Sequence, residues 1–135
     1  DAESLRRLHD PDFLLIHPMN VDDAGHKFGL NSSQYRNRAR MADGYLSHWM
    51  PGWLQEGYQV IVTADHGMND DRSHGGTLPE EMRVPLFVFG EAFSKQSGLQ
   101  PRQTELCGSV CEILGVAHDK PVCPSLLSVA AEAGQ

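Results

Sequence analysis

The sequence predicts an α/β domain: a mostly parallel sheet with flanking helices. Three observations carry that prediction. First, three short apolar runs rich in β-branched and aromatic residues, 13–16, 58–63 and 84–89, have strand length and strand composition. Second, the segment between the first two runs repeats apolar residues in steps of four and three, at Tyr35, Ala39, Ala42, Leu46, Trp49 and Trp53. That spacing gives a helix with one face for the sheet, and a strand–helix–strand order favours parallel pairing. Third, acids and histidines follow the runs closely, at the strand ends where open α/β sheets gather their chemistry.

A chain of 135 residues is one domain by the usual prior and can bury a modest core. A net charge of −7 argues against binding a nucleic-acid backbone. The densest basic group, Arg36, Arg38 and Arg40, reads as a solvated helix face. No run of about 18 apolar residues is present, so nothing in this chain is expected to span a membrane. Cys107, Cys111 and Cys123 form no C-x-x-C pair, which weakly favours a reducing, cytoplasmic setting with thiols as small core residues. A signal peptide on the full gene would instead place the protein in the periplasm or outside the cell. The chain opens on Asp1 with residues 2–9 in helical style, and is expected to be a piece of something longer.

Taken in order, residues 2–9 read as a helical remnant and Asp10-Pro11-Asp12 as a turn. Residues 13–16 form the first strand, which His17-Pro18 ends. Residues 19–30 read as a loop carrying Asp22, Gly25, His26 and Gly29. Asn31-Ser32-Ser33 then supplies N-cap candidates for the long helix. Pro51-Gly52 is expected to kink or end that helix, with Gly57 closing it before the second strand. Residues 65–83 form a long loop rich in Asp, Gly and His, a length that tends to be functional inside a compact domain. A third strand with Pro85 near its start follows, then a polar connection over 90–102. A helix over 104–114 is ended by Gly115, and 126–131 is a short apolar piece. Three strands make a thin sheet with open edges, so further strands are expected beside them.

The chemistry gathers in three stretches: Asp22-Asp23-Ala24-Gly25-His26, Asp65-His66-Gly67-Met68, and His74-Gly75-Gly76. Asp65 and His66 follow an apolar strand without a spacer, and burying them calls for charge compensation. Carboxylate together with imidazole suits zinc, and also manganese or iron, better than the all-oxygen shells of calcium and magnesium. A capping acid at a strand end, an exposed acidic loop and a surface histidine are the competing readings. Asp23 competes with Asp22 for the ligand role. His17 is placed either as an outer partner of a metal or as a semi-buried histidine.

The order Asp22-x-x-Gly25-His26, Asp65-His66-Gly67-Met68, His74-Gly75-Gly76 and a Val84-Pro85 strand resembles the alkaline phosphatase superfamily, in particular its type I phosphodiesterase/nucleotide pyrophosphatase branch. The resemblance covers residues 13–121 and corresponds to the C-terminal portion of a larger metallohydrolase domain. It implies part of an alkaline-phosphatase-like sandwich holding two divalent ions, most often zinc. Asp22, His26 and His74 would hold one, and Asp65 and His66 the other. The second ion's remaining ligands, and a Thr or Ser nucleophile, would come from an N-terminal half. It also implies hydrolysis of a small phosphate ester through a phospho-enzyme. No nucleophile elbow or phosphate loop occurs here: Ser32 and Ser33 read as caps, while Ser73 and Thr77 lie in the long loop. This chain alone is therefore expected to be inactive, and to pair with the missing half or with itself through the sheet edge. Phosphonate hydrolysis, a sulfatase-like reaction, phosphomutation and a non-catalytic metal-binding domain are the alternatives.

Overall fold

The computed structural model describes residues 1–128. Helix α1 (Ala2–His9) leads through an extended segment to α2 (Asn20–Phe28) and the long α3 (Ser33–Gln55). Strand β1 (Val60–Thr63) follows, then the short helix α4 (Pro79–Met82), strand β2 (Leu86–Phe89), helix α5 (Gln103–Leu114) and a 3-10 turn (Pro124–Leu126).

Two expectations change here. The two strands, from the second and third predicted runs, pair antiparallel, Val60 opposite Phe89 and Thr63 opposite Leu86, in place of the expected parallel sheet; the strand–helix–strand unit is also missing, because its first run finds no partner among the described residues. Residues 13–16 run without a ladder partner, and Phe13 and Leu15 are 58% and 76% exposed. The physical reason is that a strand needs a neighbour: apolar composition sets extended backbone, but pairing requires a ladder on the other side. The second change is residues 19–30, expected as a loop, which contain α2.

Helix α2 forms despite two Asp and a Gly because its inner face packs closely. Ala24 and Gly25 are buried, and a Cβ on Gly25 would collide with the thioether of Met68, in the loop after β1, and stand 3.3 Å from the Tyr35 ring. Asp22 and Asp23 in its first turn complement the positive end of the helix dipole, and Lys27 complements the negative end.

Helix α3 starts as the sequence predicts, with the Ser32 hydroxyl accepting the Tyr35 N–H at 3.1 Å. It runs through Pro51 to Gln55, just short of the expected closure at Gly57, because Pro51 forfeits only one backbone bond near the helix end. Of its predicted stripe, Tyr35, Ala42, Leu46, Trp49 and Trp53 are half-buried and Ala39 is exposed. Arg36, Arg38 and Arg40 face solvent.

A buried ion pair docks α1 onto the end of α3. Arg6, 4% exposed, donates to Glu3 at 2.9 Å and to Glu56 at 2.6 Å, while the Trp53 indole N–H donates to Glu3 at 2.7 Å. The Arg6 guanidinium, with the Trp53 donor, holds the Glu3 carboxyl well below the usual carboxylate range. A depressed acid stabilises the fold above its ordinary value and loses that contribution as pH falls through the folded value. Lowering the pH from about 5 toward the acid limit is therefore expected to reduce the melting temperature of the wild type more steeply than that of Glu3→Gln. Parallel melting curves across that range would refute the assignment.

At the bridge between Phe93 and Leu127 a second small core forms, with Phe93 and Leu126 at 3% and 1% exposure. The fully buried Ser109 hydroxyl donates to Glu105 O at 2.7 Å and accepts from Cys123 N at 3.2 Å. Gly115 ends α5 in the left-handed region at φ 66°, as predicted. The three cysteines are unpaired; Cys107 is exposed rather than core, and burial pushes the Cys111 thiol up. Of the predicted apolar piece 126–131, residues 129–131 lie outside the described residues. Among the described residues no helix is long and apolar enough to cross a membrane.

Candidate metal centre

Turning 19–30 into a helix does more for the site than a loop would. Asp22 and His26, four residues apart, stand on one face of α2 a turn apart. His66 follows β1, and His74 returns on the long loop. Asp22, His26 and His74 each offer a ligand atom, and the three atoms lie within 4.8 Å of one another. Nε2 of His26 and Nε2 of His74 are each 3.5 Å from Asp22 Oδ1, and Nε2 of His66 is 3.9 Å from the same oxygen. The His66 and His74 rings stack at 3.6 Å.

Asp22 Oδ1 is buried and has no hydrogen-bond partner. An orphaned buried carboxylate oxygen is costly, and here the surrounding groups are imidazole nitrogens slightly too far for hydrogen bonds. Donor atoms about 2.0–2.1 Å from one tetrahedral zinc would be about 3.3 Å apart, close to these separations. The residues present thus fit a divalent cation, and the mixed N/O donor set suits zinc, manganese or iron.

The far sides of two rings are already fixed. His26 Nδ1 meets the Arg72 carbonyl at 2.6 Å and His66 Nδ1 meets the Gly67 carbonyl at 2.8 Å. A carbonyl only accepts, so each Nδ1 donates and leaves its Nε2 lone pair facing Asp22.

Asp65 is more open. Its Oδ1 is 3.7 Å from His66 Nε2 and its Oδ2 is 3.8 Å from His17 Nε2, with most of the carboxylate exposed. Together with His66 it offers a half-site beside the first group. Asp23 is exposed and outside the three-residue cluster, which favours Asp22 in the ligand role. Ser73 and Thr77 are exposed on the loop, and Ser32 caps α3.

Sequence reasoning missed the groups that shape the loop. Glu81 of α4, 5% exposed, accepts from Asn69 Nδ2 at 2.6 Å, and its backbone carbonyl accepts from Gly67 N at 2.7 Å. Gln103 donates to the carbonyls of Ala64 and Asp65 at 2.8 and 3.0 Å, tying α5 to the end of β1. Leu78-Pro79-Glu80-Glu81, with Pro at a first helical position and acids behind it, is the signal that marks α4.

The family described as type I phosphodiesterase / nucleotide pyrophosphatase matches residues 1–77, a span that includes all five candidate ligands. The chain is similar to GPI ethanolamine phosphate transferase 1 of Neurospora crassa, 33% identical over 98 residues, which is 70% of this chain and 10% of that protein. It is also similar to the catalytic subunit of GPI ethanolamine phosphate transferase 2 of Homo sapiens, 26% identical over 87% of this chain and 13% of that protein. GPI ethanolamine phosphate transferase 3 of Schizosaccharomyces pombe is 28% identical over 77% of this chain and 12% of that protein. The chain thus spans about a tenth of the length of these relatives. No solved structure matches it. On the family match and the identity to the Neurospora protein, the chain belongs to the type I phosphodiesterase/nucleotide pyrophosphatase family of the alkaline phosphatase superfamily.

Proposed function

We propose that this chain is the C-terminal portion of the catalytic domain of a metal-dependent enzyme that moves a phosphate-ester group, with ethanolamine phosphate as the group and a GPI as the acceptor. The observation that carries the reading is the orphaned Asp22 Oδ1 facing three imidazole nitrogens, with the rings of His26 and His66 anchored at Nδ1. Asp22, His26 and His74 hold one cation, and Asp65 and His66 contribute to a second whose other ligands lie outside this chain. Bound there, such ions would supply Lewis-acid stabilisation to phosphate oxygens and lower the pKa of an attacking hydroxyl.

The chain's own residues set the electrostatics. Asp22 supplies negative charge at the buried side, the anchored His26 and His66 turn their Nε2 atoms toward it, and the exposed Asp65 lies on the solvent side open to substrate. A Thr or Ser oxygen from outside the chain attacks phosphorus and loses its proton, and the donor's alcohol leaves with a proton gained. The acceptor hydroxyl then attacks the phosphorylated side chain and restores it. Hydrolysis is the same sequence with water as acceptor, and the relatives' names favour an alcohol. A formylglycine-forming Cys as nucleophile would redirect the reading to sulfate esters. The exposed Phe13, Leu15 and Phe87 support further strands packing beside this portion, from the same protein or a second copy.

The test is the full protein, purified without chelator, acting on bis(p-nitrophenyl) phosphate with and without an added alcohol. Turnover is expected to vanish with chelator, return with Zn2+ or Mn2+, and divert product into the alkyl ester when alcohol is present. Chelator-insensitive turnover would sink the metal-dependent reading, and absence of the ester would leave a hydrolase. The present chain alone is expected to show no turnover, because it holds no nucleophile.

A further inference from the structure

The loop that delivers His74 also determines how His26 presents itself, and both depend on a buried acid remote in sequence. Glu81 is 5% exposed, so its carboxylate needs partners; Asn69 Nδ2 donates at 2.6 Å and Leu78 N at 3.4 Å. Asn69 in turn templates the tight turn after it. Its side-chain oxygen accepts from Ser73 N at 3.0 Å, its N–H donates to Ser73 O at 2.9 Å, and its carbonyl accepts from Arg72 N at 3.2 Å. That turn holds Arg72 at φ 59°, a left-handed conformation that is unfavourable for a residue with a Cβ. The Arg72 guanidinium donates to the Lys27 carbonyl at 3.2 Å, fastening the turn to the end of α2. So held, the Arg72 carbonyl meets His26 Nδ1 at 2.6 Å.

We propose that Glu81 and Asn69 are positioning residues for the centre: the Glu81–Asn69 bond sets the 69–73 turn, which aims the Arg72 carbonyl at His26 Nδ1 and so keeps His26 Nε2 directed at Asp22. This rests on reading Asp22, His26 and His74 as the cation-holding group, and neither Glu81 nor Asn69 touches a cation or substrate itself. The pair has a definite polarity, amide donor to carboxylate acceptor, which makes it testable by exchange. Asn69→Asp sets two carboxylates against each other. The double change Glu81→Gln/Asn69→Asp restores one donor and one acceptor with the direction reversed, and still leaves oxygens for Leu78 N and Ser73 N.

Two readouts on the full protein separate this proposal from the metal reading. The first is Co2+ affinity by visible absorption. The second is the His26 tautomer in metal-free protein at pH 8, read from ring-nitrogen NMR shifts. The wild type is expected to show the Nδ1–H tautomer. Asn69→Asp is expected to bind Co2+ about 10–100-fold more weakly, the range for loss of an outer partner, and to show mixed tautomers. The double variant is expected to recover both within about threefold. An Asn69→Asp variant with wild-type tautomer, or a double variant left at the single variant's values, overturns the proposal. If the wild type takes up no Co2+, the metal reading fails and the tautomer arm still decides the clasp.

Discussion

His26→Ala and His74→Ala are each expected to empty the centre of metal in protein purified without chelator. Each change removes one of three donors that lie within 4.8 Å of one another, and leaves Asp22 Oδ1 facing fewer nitrogens. Losing an outer partner typically costs 10–100-fold in affinity, so losing a direct donor is expected to cost about a hundredfold or more. Metal content by mass spectrometry, with a competition titration for Zn2+, measures this. Asp23→Asn serves as the control, since Asp23 is exposed and outside the cluster. Wild-type metal content in either histidine variant would remove that residue from the centre. Loss in Asp23→Asn with retention in Asp22→Asn would exchange the two acids.

Gly67→Ala carries the largest expected loss of stability. Gly67 stands between His66 and the buried Met68, and its N–H donates to Glu81 O at 2.7 Å. A Cβ there would collide with the Glu80 carbonyl oxygen and lie 3.2 Å from that of Arg83, both backbone atoms of the α4 region. Backbone cannot swing aside as a side chain does, so overpacking should cost about 1–3 kcal/mol. It should also move His66 away from Asp22 and lower metal affinity together with stability. Gly25→Ala is the informative comparison, because its Cβ meets the flexible end of Met68 and alanine favours the helix by about 1 kcal/mol. Urea unfolding is expected to place Gly67→Ala well below Gly25→Ala. Equal losses would refute the backbone-collision argument.

Much of this was legible in the residues. The long helix announced itself through the stripe from Tyr35 to Trp53 and the Ser32 cap, and α5 through its apolar spacing and Gly115. The strand runs near 60 and 86 were marked by β-branched and aromatic content. The five candidate ligands stood out because acids and histidines followed apolar strands closely. What remained hidden has a common physical origin, which is that it depends on partners far away in sequence. Helix α2 has weak intrinsic propensity, with Asp22, Asp23 and Gly25 all poor helix formers, and forms because its inner face is buried, with Gly25 against Met68. Strand direction is not written in composition, so the pairing of Val60 with Phe89 had to be seen. Nothing local in Pro79-Glu80-Glu81-Met82 singles out Glu81, whose buried carboxylate is met by Asn69 twelve residues earlier.

The centre is divided between two kinds of support, and the division bears on time as much as on affinity. Asp22 and His26 ride one turn of α2, where helix geometry holds their spacing whether or not anything sits between them. His66 and His74 come from the end of a strand and from a loop shaped by its own hydrogen bonds. An ion held there would have a fixed wall and a movable one, and would be expected to leave at the rate at which the loop opens. Such a fold can lengthen or shorten the residence of its ion by changing the loop's fastenings while every donor stays the same.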